Sequence, residues 1–157
     1  MPAVQPDPLL RAASAGGGAI AVPGDLHLHI DGASRGNPGP AAWGVFVTRP
    51  DGTEVAQLKG ALGRATNNVA EYQALLHGLR FALEQGARRV QVFSDSELVV
   101  KQLDGRYRVR HPDMLPLHAE ARQLLARFES ARVTHVRRAL NKEADRLANE
   151  ALDQRTK

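Results

Sequence analysis

Four acidic residues stand where a predicted strand or helix begins or ends beside an apolar face: Asp31, Glu71, Asp95 and Asp145. Asp31 is the clearest case, because it ends an alternating apolar run and precedes a loop rich in glycine and proline. A buried carboxylate costs free energy unless a cation or hydrogen-bond donors compensate it. Asp before Gly also initiates turns through its side chain, so turn formation remains the alternative for Asp31.

Carboxylates held close together repel one another unless cations neutralise them. Hard oxygen ligands with open water positions suit Mg²⁺ or Mn²⁺. Two such ions can activate a water and stabilise the leaving oxygen of a phosphodiester displacement, so no protein nucleophile is needed. The chain has 17 acidic residues, so placement alone does not separate a metal cluster from a chance grouping.

The elements that would position these acids can be predicted from hydrophobic periodicity. Strands are expected at 25–32, 42–49, 53–62, 88–93 and 132–137. Helices are expected from Val69 to Gly86, from the turn after Ser94 to Leu103, over 115–130, and from near Asn141. Ser94 and Glu97 have the spacing of a capping box at the start of the second of these helices. Thr66, Asn67 or Asn68 supplies the N-cap of the first helix.

The order of these elements predicts a mixed sheet. The first three strands form an antiparallel meander, and a strand–helix–strand connection then requires a right-handed crossover with parallel pairing of strands one and four. The ends of those two strands meet at one sheet edge, where open sheets place their ligands. The four acids are therefore expected to converge there.

Composition limits the remaining possibilities. A chain of 157 residues with 43% hydrophobic residues suits one domain, and the lack of cysteine excludes disulfides, thiolate zinc sites and a cysteine nucleophile. We found no apolar run long enough for a membrane span and no secretory signal pattern, so we expect a cytoplasmic protein with no membrane partner. The formal charge of +4 is compatible with a polyanionic partner.

Residues 1–24 are rich in Pro, Ala and Gly and are predicted to be a disordered tail or linker. A domain at 25–153 and a tail at 154–157 are expected to follow.

Four sequence blocks carry a family resemblance: Asp31-Gly32-Ala33-Ser34, Thr66-Asn67-Asn68-Val69-Ala70-Glu71, Ser94-Asp95-Ser96 and Asn141-Lys142-Glu143-Ala144-Asp145-Arg146-Leu147-Ala148. Together with the Gly-Asn-Pro-Gly loop at 36–39, they resemble the signature of type 1 ribonucleases H over residues 26–152. The resemblance implies an α/β ribonuclease H-like fold. This fold is a five-stranded mixed sheet, three antiparallel strands then two parallel, flanked by helices.

The resemblance also implies an activity: hydrolysis of the RNA strand of RNA/DNA hybrids by two Mg²⁺ ions, or Mn²⁺, leaving 5′-phosphate and 3′-hydroxyl ends. By analogy with the family, Asp31 would bridge the metals. Glu71 and Asp95 would complete one metal site, and Asp145 would help hold the other. We expect a monomer.

Further residues match family positions that contact the hybrid. Those expected at the minor groove, where RNA displays 2′-hydroxyls, are Asn37, Asn67, Gln73, Ser96 and Glu97. Thr66 is expected to hold a DNA phosphate. For the two asparagines, helix capping alone remains the alternative.

The chain departs from the family pattern in two places. The connection 138–142 contains no counterpart of the loop histidine that many members carry, and His135 is predicted to be a strand residue. The long basic protrusion is replaced by the shorter loop 106–110, in which Arg106 and Arg108 could contact phosphates or simply be solvated.

Other functions fit less well. The chain has neither a P-loop motif nor a dinucleotide-binding glycine motif, which disfavours a nucleotide cradle. Proofreading-type exonucleases resemble a pattern with Glu two residues after the first Asp, and position 33 here is Ala. The remaining alternative is a non-catalytic module that binds hybrid or double-stranded nucleic acid on the same fold.

Overall fold

A computed structural model describes residues 24–155 of the chain. Its strands are β1 (Asp25–Ser34), β2 (Gly39–Thr48), β3 (Glu54–Ala65), β4 (Arg89–Ser94) and β5 (Ser130–His135). Its helices are α1 (Asn67–Glu84), α2 (Glu97–Leu103), α3 (Leu115–Leu125) and α4 (Lys142–Arg155), with a 3₁₀ turn at Arg138–Leu140. The predicted tail at 1–24 lies outside the described residues except for Gly24, and the domain boundaries remain a prediction.

The five strands form one mixed sheet in the order β3-β2-β1-β4-β5. β1 pairs antiparallel with β2, and β2 with β3, whereas β1–β4 and β4–β5 are parallel pairs. This arrangement confirms the predicted fold class. β1 is central, and its Leu26, Leu28 and Ile30 are fully buried, as the alternating pattern indicates.

The helices α1 and α4 cover opposite faces of the sheet. A Cβ added to Gly78 of α1 would lie 3.2 Å from the side chain of Val45, whereas one added to Gly44 would lie 2.6 Å from the backbone nitrogen of Ala148 in α4. Successive strand residues point to opposite faces. The absence of a side chain at Gly44 therefore lets α4 approach the sheet backbone.

Trp43 of β2 is the single tryptophan of the chain and is almost fully buried. Its ring stacks on the imidazole of His77 in α1, with centroids 3.9 Å apart and planes 7° from parallel. Burial, and then the nearby Arg80 charge, lower the pKa of His77. The stack joins β2 to α1.

Three local predictions need correction. The cap of α2 is Ser96, which accepts from the Val99 amide, and not Ser94, whose hydroxyl is engaged elsewhere. The third helix ends at Leu125 rather than near 130, where Phe128 turns into the core. β5 consequently begins at Ser130 and ends at His135, two residues earlier than predicted.

Two other local predictions, on Thr66 and His135, are confirmed. Thr66 caps α1, with its hydroxyl 3.2 Å from the Val69 nitrogen. His135 is the final residue of β5. None of the helices within residues 24–155 has the length and apolar character needed to cross a membrane.

Candidate active site

Three of the predicted acids meet at the sheet edge. Carboxylate oxygens of Asp31, Glu71 and Asp95 all lie within 4.8 Å of one another. Asp31 comes from β1, Glu71 from the first turns of α1, and Asp95 from the residue after β4. Asp31 and Glu71 are 5% and 4% exposed, and the Asp95 side chain is 9% exposed. We call these three residues the acidic cluster.

Gly32 allows α1 to reach β1 at the acidic cluster. Its amide donates to Oε2 of Glu71 at 2.8 Å. A Cβ at this position would lie 2.5 Å from backbone atoms of Ala70 and Glu71, closer than real Cβ contacts permit. The glycine after Asp31 is thus required by the approach of the helix that carries Glu71.

Ser94 joins the other two parts of the cluster. Its fully buried hydroxyl donates to Oε1 of Glu71 at 3.2 Å and accepts from the Ser96 amide at 3.0 Å. The same side chain therefore holds Glu71 and the turn that carries Asp95. The sequence interpretation missed this role, although a serine directly before an acid at the end of a buried strand is a usable signal.

Burial dominates the electrostatics of the cluster. It raises the pKa of Asp31 far above its usual range, and interactions with the Glu71, Asp95 and Asp145 carboxyls raise it further. Burial also raises the pKa of Glu71, against the lowering effect of hydrogen bonds from Asp31, Gly32 and Ser94. Without cations, the raised pKa favours the protonated form of Asp31, whose carboxyl is hydrogen-bonded to that of Glu71.

Asp145 lies beside the cluster rather than within it. It stands in the first turn of α4, is half-buried, and interacts with the Asp31 carboxyl, but it is not part of the group within 4.8 Å. Its Oδ1 accepts from Nδ2 of Asn149 at 3.1 Å. The structure thus brings all four predicted acids together as a group of three with a fourth in contact.

The donor set fits a hard divalent cation. Among the described residues, the buried Oδ2 of Asp95 finds no hydrogen-bond partner. Its nearest ionic contact is Nε of Arg138 at 3.8 Å, on a side chain that is 83% exposed. A buried carboxylate oxygen without a donor, in a group of three carboxylates, suits coordination of Mg²⁺ or Mn²⁺. Arg138 was not singled out from the sequence.

The predicted substrate residues have varied surroundings. Asn37 and Asn67 are exposed and joined, because Oδ1 of Asn37 accepts from the Asn67 amide at 3.0 Å. Thr66 and Ser96 cap α1 and α2. The other predicted contacts are Gln73, half-buried on α1; Glu97, ion-paired with Lys101; Arg106, ion-paired with Asp104; and Arg108, exposed.

Residues 29–151 match the model of a family described as "Reverse transcriptase-like". Over 127 residues, 80% of this chain, the sequence is 50% identical to the bifunctional protein Rv2228c of Mycobacterium tuberculosis, and it spans 35% of that protein. It is 48% identical over 130 residues to ribonuclease HI of Halobacterium salinarum, of which it spans 65%. The matched part of the chain therefore spans less than two thirds of the length of each of these two relatives.

Solved structures show the same similarity. The crystal structure of RNase H1 from Halobacterium salinarum superposes with a TM-score of 0.81 at 48% identity, covering 83% of this chain and 99% of that one. LC11-RNase H1 in complex with RNA/DNA hybrid superposes with a TM-score of 0.80 at 35% identity, covering 84% and 99%.

Proposed function

This chain belongs to the ribonuclease H type 1 family, and from that premise we propose that it is an endonuclease that hydrolyses the RNA strand of RNA/DNA hybrids. The observation that carries the proposal is the acidic cluster, with its unpartnered Asp95 oxygen. A related structure was solved in complex with RNA/DNA hybrid, which supports the substrate.

The acidic cluster would hold the metal. We propose that Asp31, Glu71 and Asp95 would hold one ion and that Asp31 and Asp145 would help to hold a second. When bound, two Mg²⁺ or Mn²⁺ ions supply water activation and neutralise charge on the phosphate. Because the pKa values of Asp31 and Glu71 are raised, these carboxyls must release protons to act as ligands, so ion affinity should rise with pH.

The products follow from the bond that is cleaved. Water adds to phosphorus, the bond to the 3′-oxygen breaks, and that oxygen takes a proton, which leaves a 3′-hydroxyl on one fragment and a 5′-phosphate on the other. The protein residues bind and orient the strand. We propose minor-groove contacts by Asn37, Asn67, Gln73, Ser96 and Glu97. We further propose phosphate contacts by Thr66, Arg106 and Arg108.

The test is cleavage of an end-labelled RNA/DNA hybrid in Mg²⁺ or Mn²⁺, compared with single-stranded RNA and double-stranded DNA. We expect cleavage of the hybrid RNA strand alone, with 5′-phosphate ends that a 5′-phosphate-dependent exonuclease degrades. Binding without cleavage would instead identify a non-catalytic hybrid-binding module. A monomeric state in the cytoplasm completes the proposal, and sedimentation at micromolar concentration tests the first part.

A further inference from the structure

Asn141 is a buried polar residue that the metal-holding arrangement does not use directly. It precedes α4, is 1% exposed, and its backbone carbonyl accepts from the Asp145 amide at 3.2 Å. It therefore occupies the N-cap position of the helix that carries Asp145.

An asparagine at an N-cap normally uses its side-chain oxygen to accept from an amide in the first helical turn. Asn141 does not do this. Within the described part of the chain, its Oδ1 is buried and has no hydrogen-bond partner. An unsatisfied buried carbonyl costs free energy, so a purely capping role does not account for the orientation of this side chain.

The side chain instead reaches into the sheet. Its Nδ2 donates to the carbonyl oxygen of Ile30 at 2.8 Å, across 111 positions of sequence. Ile30 directly precedes Asp31, and its pairing with Ser94 is the last in the parallel ladder of β1 and β4. Asn141 therefore fastens the start of α4 to β1 beside Asp31.

Asp145 has fewer hydrogen bonds to the sheet and its neighbouring elements than Glu71 has. Glu71 is tied to its neighbours by hydrogen bonds from Gly32 and Ser94, whereas the hydrogen bonds of Asp145 to Asn149 lie within α4 itself. The distance between Asp145 and Asp31 therefore follows the position of α4 on the sheet, and Asn141 fastens the first end of that helix. Asn141 and Asp145 are four residues apart, on the same side of the helix.

We propose that Asn141 is a positioning residue that sets the distance from Asp145 to Asp31 and thereby the affinity for the divalent ion that Asp145 helps to hold. The inference rests on the proposed function for its choice of ion. It concerns the protein alone, so metal binding tests it without substrate.

The main experiment uses Asn141→Ser. Serine caps helices about as well as asparagine but is too short to reach the Ile30 carbonyl, so it separates capping from fastening. Mn²⁺ is titrated into the metal-free full chain and free ion is followed by electron paramagnetic resonance. In Asn141→Ser, we expect the dissociation constant of the more weakly bound of the two Mn²⁺ ions to rise at least about tenfold. Asn141→Ala should behave like Asn141→Ser. Serine behaving like wild type, with alanine impaired, would show a capping role and overturn the inference.

A double-mutant cycle identifies the route of the effect. If Asn141 acts through Asp145, adding Asn141→Ser to Asp145→Asn leaves Mn²⁺ binding at the level of Asp145→Asn alone. Additive losses would contradict the inference. If the serine and alanine variants do not fold, exchange of the Asn141 side-chain amide protons in the wild-type protein, with and without Mg²⁺, provides the test. Slow exchange in both states is expected, and rapid exchange would refute the fastening contact.

The outcomes separate this inference from the proposed function. Non-additive Mn²⁺ binding in a chain that cleaves no hybrid would overturn the nuclease proposal and leave the role of Asn141 standing. Hybrid cleavage with additive binding losses would overturn the role of Asn141 alone. A wild-type chain that binds no Mn²⁺ would overturn both.

Discussion

Asp31→Asn should make the metal-free protein more stable while abolishing cleavage. Asp31 is buried beside two other carboxyls, and its raised pKa means that the folded state keeps a proton that the unfolded chain releases. Asparagine has nearly the same shape as a protonated aspartic acid and can donate to Glu71 without titrating. The substitution removes the free-energy cost of keeping the Asp31 carboxyl protonated in the folded state, and it removes a metal ligand at the same time.

The size of the gain follows from the pKa shift. An unfolded aspartate titrates near about 3.9, and each pH unit above that value costs about 1.36 kcal/mol as long as the folded group stays protonated. Stability associated with Asp31 is therefore fully present below about pH 4 and falls as pH rises toward the folded pKa. The gain from Asp31→Asn should be about 4 kcal/mol at most at pH 7, about 1.5 kcal/mol at pH 5, and near zero at pH 4.

The assay is urea unfolding in EDTA at pH 4, 5 and 7, followed by circular dichroism. Adding Mg²⁺ should then stabilise the wild type by mass action, and the variant much less. Cleavage of hybrid should fall at least about 1,000-fold, because metal ions contribute several kcal/mol to such reactions. Glu84→Gln is the control, since this exposed acid lies at the opposite end of α1 from Glu71, about 20 Å along the axis.

Two results would refute this reasoning. The first is a metal-free Asp31→Asn variant no more stable than wild type at pH 7, and the second is a gain that does not shrink as pH falls to 4. Either would show that the Asp31 carboxyl is not held protonated by its surroundings. Retained cleavage would remove Asp31 from the proposed metal site.

Three further predictions follow. Gly32→Ala should destabilise the fold by about 3 kcal/mol or more and weaken cleavage, because the added Cβ would force α1 away from β1. Thermal unfolding measures the loss of stability, and a hybrid cleavage assay measures the loss of activity. Ser94→Ala should cost about 1–3 kcal/mol and lower cleavage more than hybrid affinity, since it removes the hydroxyl that donates to Oε1 of Glu71 and accepts from the Ser96 amide. Urea unfolding and single-turnover kinetics test this, and an unchanged rate would count against it. Arg108→Gln should reduce the salt dependence of hybrid binding by about one phosphate contact, with Arg49→Gln in the β2–β3 turn as the matched control; an unchanged slope would reject a phosphate role for Arg108.

The fold and the acidic cluster could be predicted because their signals are local. Alternating apolar residues identify β1, Asp31 lies near the end of that strand, and Asp95 directly follows β4. The details that were missed depend on contacts distant in sequence. Ser94 is used by Glu71, 23 positions away, which no local capping pattern reveals. The hydrogen bond from Asn141 to Ile30 likewise exists only once α4 lies on the sheet.

The boundary errors have a similar cause. The third helix and β5 were predicted from periodicity alone, which does not show where Phe128 is drawn into the core. The turn after Leu125 shifts β5 toward the N-terminus, and its register with β4 follows, from Arg89 opposite Ser130 to Ser94 opposite His135. Packing, rather than propensity, sets these ends.

The stack of Trp43 on His77 provides an intrinsic optical probe. A single indole makes its fluorescence assignable without mutagenesis, and an imidazolium quenches indole emission more strongly than neutral imidazole does. Since the pKa of His77 is lowered, the emission should stay constant through neutral pH and dim only on acidification. His77 lies six residues after Glu71 on α1, about 9 Å along the axis, so the same signal would register any loosening of that helix when ions or hybrid are added.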